Sequence, residues 1–333
     1  MKMHEKELEK SKARWLTWTS VVLGAGYGLF ARFIMGGLMH GRVFDVMSSS
    51  FVVGVPFALG FVTVWLIGAK RRLRLRDWFI PPIWSGLLFM CGALLLLWEG
   101  LICVVVLAPL AAGLAIVGGV MAGIARLLWP GGGKIYCAAI VGALPFVAGP
   151  IEQLHEAATE VHTIETAIEI RADRGAVWRQ IRSVPRIDPA ELRFSFSHLL
   201  GFPRPVEARL EGIGVGAVRY ATFDGGVLFV ERVTEWDEDH ALAFSIRADT
   251  VHIPATTFDE HVTIGGPYFD VLDGRYAIEE LGDGRVRLHL TSRQRLSTRF
   301  NFYAHFWTRW LMADLQNVIL RVIRERCEGA ARQ

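Results

Sequence analysis

Tyr276, Ser292 and Gln294 are the polar side chains whose spacing best suits a chemical role in this chain. Across residues 285–296, Val286, Leu288 and Leu290 alternate with Arg287 and His289, the period-two pattern of a strand with one face in a core. Continuing that parity turns Ser292 and Gln294 inward, while Arg293 and Arg295 point to water. A few polar groups among apolar ones are what orients a ligand in a pocket. The alternative is a bulge near the strand end that breaks the parity. By the same alternation Leu272, Tyr276 and Ile278 share a face, and the Tyr276 hydroxyl is either a paired core group or a pocket donor. The chemistry these groups offer is hydrogen bonding to the polar end of an apolar molecule. No clear acid or base for bond-making chemistry joins them.

Other spacings promise less. Gly212, Gly214 and Gly216 resemble a dinucleotide fingerprint, but that motif lies between a strand and a helix, and here strand-like sequence stands on both sides. Gly131, Gly132, Gly133 and Lys134 lack the spacing and the Ser/Thr of a phosphate loop. His155 and His162 are seven apart and could share a helix face, yet a zinc site needs further ligands and none is near. His252, His261, His289 and His305 are scattered. The expectation is therefore no metal and no cofactor.

These residues need a sheet to position them. Residues 211–236 read as two strands rich in Val, Tyr, Phe and Thr, joined at Asp224, Gly225 and Gly226 by a tight hairpin turn. Before them, Thr166, Ile168 and Ile170 alternate in a strand, and Asp173 caps a short helix bearing Val177, Trp178 and Ile181. Residues 194–202 are an apolar patch between prolines. After the hairpin, Leu242, Phe244 and Ile246 alternate, 249–266 reads as a loop with a strand near 259–264, and strands cover about 267–280 and 285–296. The last helix, about 300–327, carries Phe302, Phe306, Trp310, Leu311, Leu315, Val318 and Val322 at the spacing of one stripe. This order predicts an antiparallel sheet with helices on one face. It sets Leu242, Phe244, Tyr276, Leu288, Ser292 and Gln294 opposite the aromatic start of the last helix, where Trp307 and Trp310 stand. Those aromatics fit a cavity wall, an interfacial belt or plain core.

The first half has a different composition. Of 333 residues, 52% are hydrophobic. Residues 1–151 hold 14 Lys and Arg against 6 Asp and Glu, while 152–333 hold 22 Arg, no Lys and 27 acids. The acidic second half lacks the basic footprint of nucleic-acid binding. With one cysteine, Cys327, it has no internal disulfide. After a charged segment 1–14, apolar runs at about 15–39, 51–69, 78–98, 101–129 and 135–151 read as transmembrane helices. Arg32 interrupts the first and either snorkels or pairs inside the bundle. The Lys/Arg counts of the successive connecting segments, with Arg126 taken together with the last, are 5, 1, 5, 0 and 2. That alternation sets the N-terminus inside and, with five spans, the second half outside the cytoplasm. If the short fifth run does not cross, the second half is cytoplasmic. Residues 152–162 read as a linker helix.

The strand 164–171, the following Asp173-Arg174-Gly175-Ala176-Val177-Trp178, then Gly214-Val215-Gly216-Ala217-Val218-Arg219, Glu231-Arg232-Val233-Thr234-Glu235-Trp236 and the terminal helix resemble the SRPBCC superfamily. This is the START-like and polyketide cyclase/dehydrase group. The resemblance covers residues 163–328 and leaves 329–333 as a tail. It implies an α+β helix-grip fold, a curved antiparallel sheet around a long C-terminal helix, preceded here by an all-α transmembrane bundle. It also implies a cavity for lipids, sterols, polyketides or other hydrophobic molecules. The expected role is membrane-anchored binding, and transfer, of a hydrophobic small molecule or lipid beside the bilayer, in a bacterial inner membrane. A cyclase or dehydratase acting on a polyketide or isoprenoid, and a structural partner in a membrane complex, are the other readings.

Overall fold

A computed structural model describes residues 2–38, 44–129, 136–249 and 264–330. The glycine-rich loop at 131–134, the strand expected near 259–264 (save Ile264), His252 and His261 fall outside or at the margin of those residues. The chain divides into two compact units, Met1–Ala157 and Ala158–Gln333.

The first unit is helical. Its helices are α1 (Lys2–Phe33), α2 (Val55–Lys70), α3 (Ile80–Leu95), α4 (Leu101–Leu128) and α5 (Tyr136–Glu152). The charged residues before Trp15 are the first turns of α1, not a separate segment. Four stretches, Glu7–Leu38, Ser50–Lys70, Leu75–Leu95 and Leu101–Leu128, are long and apolar enough to cross a membrane. α5 is apolar but has only 17 residues. Small residues bring α2 and α4 together: a Cβ on Gly60 would stand 1.9 Å from the Ala115 carbonyl oxygen, and one on Gly118 would stand 2.0 Å from that of Phe57. In lipid, where helices have no hydrophobic drive toward one another, such close backbone contact would supply the attraction. Arg32 does not snorkel. It is buried, and its guanidinium donates to Glu99 and to the Trp98 carbonyl. Glu152, at the end of α5, accepts from the backbone N–H groups of Ser49 and Ser50, just ahead of α2. The end of α5 and the start of the second apolar stretch therefore meet at one end of the bundle.

The second unit is a seven-stranded antiparallel sheet with helices on one face. Its strands are β1 (Glu160–Ile170), β2 (Pro205–Glu211), β3 (Val218–Phe223), β4 (Leu228–Asp237), β5 (Ala241–Asp249), β6 (Phe269–Gly282) and β7 (Arg285–Leu296), and its helices are α6 (Arg174–Arg182), α7 (Phe196–Leu199) and α8 (Asn301–Ala330). The order across the sheet is β1-β7-β6-β5-β4-β3-β2. Gly225 and Gly226 adopt φ of 74° and 81° at the β3–β4 turn, a conformation that glycine enters without Cβ strain. Gly212, Gly214 and Gly216 also have positive φ and sit in the β2–β3 connection, so the triplet shapes a strand-to-strand turn.

α8 lies across the sheet. Leu320, Ile323 and Cys327 share a core with Leu242, Tyr276, Val286, Leu288 and the α6 residues Val177, Trp178 and Ile181. Asp173 caps α6, accepting from the Ala176 N–H. This is the helix-grip arrangement expected from the sequence.

Three local expectations are corrected. Residues 152–162 are not a linker helix: α5 ends at Glu152 and β1 begins at Glu160, because pairing with β7 down to Leu296 draws Glu160, Val161 and His162 into the ladder. The last helix runs on to Ala330, so the supposed tail starts within it. Leu272 does not share the face of Tyr276 and Ile278. A register shift between Val271 and Asp273 leaves it unpaired, and Val271 turns inward instead.

Candidate functional site

The inward faces of β2 to β7 and the middle of α8 line a cavity of about 150 Å³. A space of that size holds a group as large as a benzene ring. Its walls are mainly apolar, with Ala221, Phe229, Phe244 and Val271 from the sheet and Met312, Leu315 and Ile319 from α8. The helix residues 312, 315, 316 and 319 form one face at the i, i+3, i+4, i+7 spacing.

Polar groups interrupt the apolar wall at three places. The first is a buried ion pair. Arg219 on β3 and Glu231 on β4 are register partners, both only 4% exposed, and the Arg219 Nη1 donates to Glu231 Oε2. Burial pushes the Glu231 carboxyl up, against the opposing pull of Arg219. Burial also works against the charge on Arg219, but Glu231 and Tyr276 more than offset it, so the guanidinium stays protonated. The Tyr276 hydroxyl completes the group, and burial moves its pKa up to about 12. The Arg219 guanidinium also stands 5.3 Å from the centre of the Phe244 ring, a cation–π contact. Its Nε has no hydrogen-bond partner among the described residues.

The second is a hydroxyl held between two amides. Ser292 Oγ receives the Nε2 of Gln294 at 2.6 Å and the Nε2 of Gln316 at 2.7 Å, while Gln316 Oε1 accepts from Thr166 at 2.9 Å. With both lone pairs of Ser292 used, its remaining capacity is one O–H donor. The third is His198 on α7, which lines the cavity and whose Nε2 makes no hydrogen bond among the described residues. Burial, then Arg204, holds its pKa below the usual histidine value. α7 is anchored by Asp314 of α8, which accepts from the Ser195 hydroxyl at 2.6 Å and the Ser197 N–H at 2.9 Å.

Of the eight side chains expected around a ligand, Phe244, Tyr276 and Ser292 line this cavity. Leu242 and Leu288 face the same side of the sheet but are sealed in the core beside α6. Gln294 is fully buried behind Ser292. Trp307 and Trp310 do not face the cavity. Trp310 lies two residues from Met312 and Trp307 nine from Gln316, each about half a turn round the helix at ~100° per residue. Trp310 is 44% exposed and packs edge-on against Phe196.

Arg219, Glu231 and His198 were missed in the sequence. For the pair a signal existed: Ala217, Arg219 and Ala221 share one parity, as do Val227, Glu231 and Val233, and all six are buried. His155 and His162 do not share a helix. His162 stands in β1 with its ring 3.8 Å from that of His305.

No protein-family model and no curated protein matches the sequence. Solved structures do show likeness, over half of the chain. A START superfamily protein from Mycobacterium smegmatis is 10% identical, with 51% of this chain and 99% of that one covered and a TM-score of 0.34. An aromatase/cyclase from Streptomyces is 15% identical, with 51% and 98% covered and a TM-score of 0.33. A norcoclaurine synthase mutant from Thalictrum, in complex with a transition-state analogue, is 13% identical, with 51% and 99% covered and a TM-score of 0.30. None of these resemblances is close enough to bear on activity.

Proposed function

We propose that this chain is a membrane-anchored binder of a hydrophobic small molecule or lipid, held by an apolar portion in the cavity of the second unit. The observation that carries the reading is an apolar cavity with one buried charged cluster, Arg219, Glu231 and Tyr276, in its wall. An apolar space favours a ring or chain by roughly 25 cal/mol per Å² of surface removed from water. The cluster and the Ser292 hydroxyl favour a ligand with a hydrogen-bonding end. Unfilled space supports a ligand over a purely structural role. The apolar helices of the first unit support anchoring in a bilayer, and the alternating Lys/Arg counts support an extracytoplasmic location for the second unit. The test is mass spectrometry of small molecules that co-purify with the full chain, compared with the cavity-filling variant Ala221→Phe. A compound retained by the parent and lost from a folded variant supports the reading. Equal retention by both places the ligand elsewhere.

One observation favours an enzyme as the second reading. His198, with a neutral ring whose Nε2 makes no hydrogen bond among the described residues, lines the same cavity as Glu231 and Tyr276. A base and a phenol around one apolar space suit proton transfer in a cyclisation or dehydration. Turnover of the co-purified compound, lost in His198→Gln, separates an enzyme from a carrier.

A further inference from the structure

The first turns of α8 carry an exposed apolar surface that the cavity does not use. Phe302, Phe306 and Trp310 recur every four residues and are 78%, 65% and 44% exposed. Phe194 and Leu199, on either side of Phe196, are exposed as well. Ring contacts join the surface into one patch, running from Phe302 through Tyr303, Trp307 and Trp310 to Phe196, with neighbouring centroids 4.7–6.5 Å apart. Monomeric soluble proteins rarely leave so many large aromatics together in water.

We infer that this patch docks the second unit on the lipid bilayer, with the aromatic rings in the headgroup region. The inference deepens the proposed function and rests on the reading that the first unit spans a membrane. Two observations select the bilayer as occupant. The link between α5 and β1 is residues 153–159, and seven residues reach about 25 Å at most. The start of β1 therefore stays within about that distance of the end of α5. The patch also lies where that link enters: the side chain of Asn301, next to Phe302, donates to the Ala158 carbonyl at 2.7 Å. The composition suits the site, since Trp and Tyr favour the interface between headgroups and acyl chains. Arg309 is exposed in the same turns and supplies a cation for lipid phosphate.

Met312, two residues beyond Trp310, lines the cavity and lies about half a turn away round the helix, so the patch and the cavity are separate surfaces of α8.

The test uses the full chain in phosphatidylglycerol–phosphatidylcholine vesicles, with the exposed Cys91 and Cys137 replaced by alanine. A polarity-sensitive fluorophore is placed on single cysteines at Phe302→Cys, Phe306→Cys, Ile213→Cys and Val117→Cys. Ile213 is an exposed apolar residue on the β2–β3 connection, and Val117 is an exposed apolar residue of α4. The expected result is strong quenching by lipid-borne nitroxide at 302, 306 and 117, several-fold above that at 213. Aqueous iodide should reach 213 best. Quenching at 117 alone, with 302 and 306 behaving like 213, overturns the docking and leaves the membrane-spanning reading intact. Absence of lipid quenching at 117 overturns the spanning reading, and the docking with it.

Discussion

Arg219 and Glu231 stand directly opposite each other on adjacent strands, and their ion pair is buried in the wall of the cavity. Two charges removed from water in this way gain little net stability as a pair, but either one alone is costly. Arg219→Met should therefore destabilise the second unit by about 3–5 kcal/mol, and the double variant Arg219→Met/Glu231→Leu should recover most of that loss. Hydrogen exchange of the β3 and β4 amides in the full chain reads both. Equal protection loss in the single and double variants would show that the pair contributes by more than mutual charge compensation.

The two glutamines around Ser292 should respond differently. Gln316 is satisfied at both ends, by Thr166 and by Ser292. Gln316→Leu should cost about 1–3 kcal/mol, since it takes the acceptor from the part-buried Thr166 hydroxyl and one of two donors from the buried Ser292. Gln294 bonds Ser292 through Nε2, yet its buried Oε1 has no donor among the described residues. Gln294→Leu removes that unmet acceptor along with one bond, and should stay within about 1 kcal/mol of the parent. Denaturant titration of the two variants side by side decides this. A Gln294→Leu loss as large as that of Gln316→Leu refutes the assignment.

Acid should weaken the second unit through His198. Its folded pKa lies below 6.5, by burial first and by Arg204 next, with Asp314 and Asp224 pulling the other way. The unfolded chain then takes up a proton that the folded chain resists. The stability this contributes is complete well above pH 6.5 and is lost progressively as pH falls below that value. His305 is shifted in the same direction, by burial and by His162. His198→Gln should therefore flatten the fall in melting temperature between about pH 7 and 5 without abolishing it. An unchanged pH profile would exclude His198 as a contributor.

In the first unit, Gly60→Ala should part α2 from α4. Its Cβ would meet backbone, not a movable side chain, so the helices themselves must shift. Gly26 has open space at the same test and is the control. Gly26→Ala should leave the detergent-solubilised melting temperature nearly unchanged, and Gly60→Ala should lower it by several degrees.

Strand parity was the most legible feature of the sequence. It ran unbroken along β7, so Ser292 and Gln294 face inward as expected. It failed in β6, because a bulge at Leu272 inserts a residue that no composition marks. Arg219 and Glu231 were passed over because single charges in a strand are ordinarily solvated, and only their register shows that each answers the other. On α8 the apolar stripe was real, but it is two surfaces. Leu311, Val318 and Val322 are buried, whereas Phe302, Phe306 and Trp310 are exposed. Helical spacing alone does not say where a long helix leaves its sheet. The 150 Å³ space was beyond sequence reading, since it is set by how far α8 stands from the strands.

The strand order has a consequence for synthesis. β1 is the first strand translated and β7 the last, yet they are neighbours, and Glu160 pairs with Leu296, 136 positions further on. The ribosome must finish almost the whole unit before its first strand can find a partner. Pairings so distant in sequence form slowly, and until then β1 is an open edge that other chains can join. A message truncated anywhere before the codon for Arg285 would leave β1 without its partner strand, whatever the consecutive hairpins of β2 to β6 had already formed.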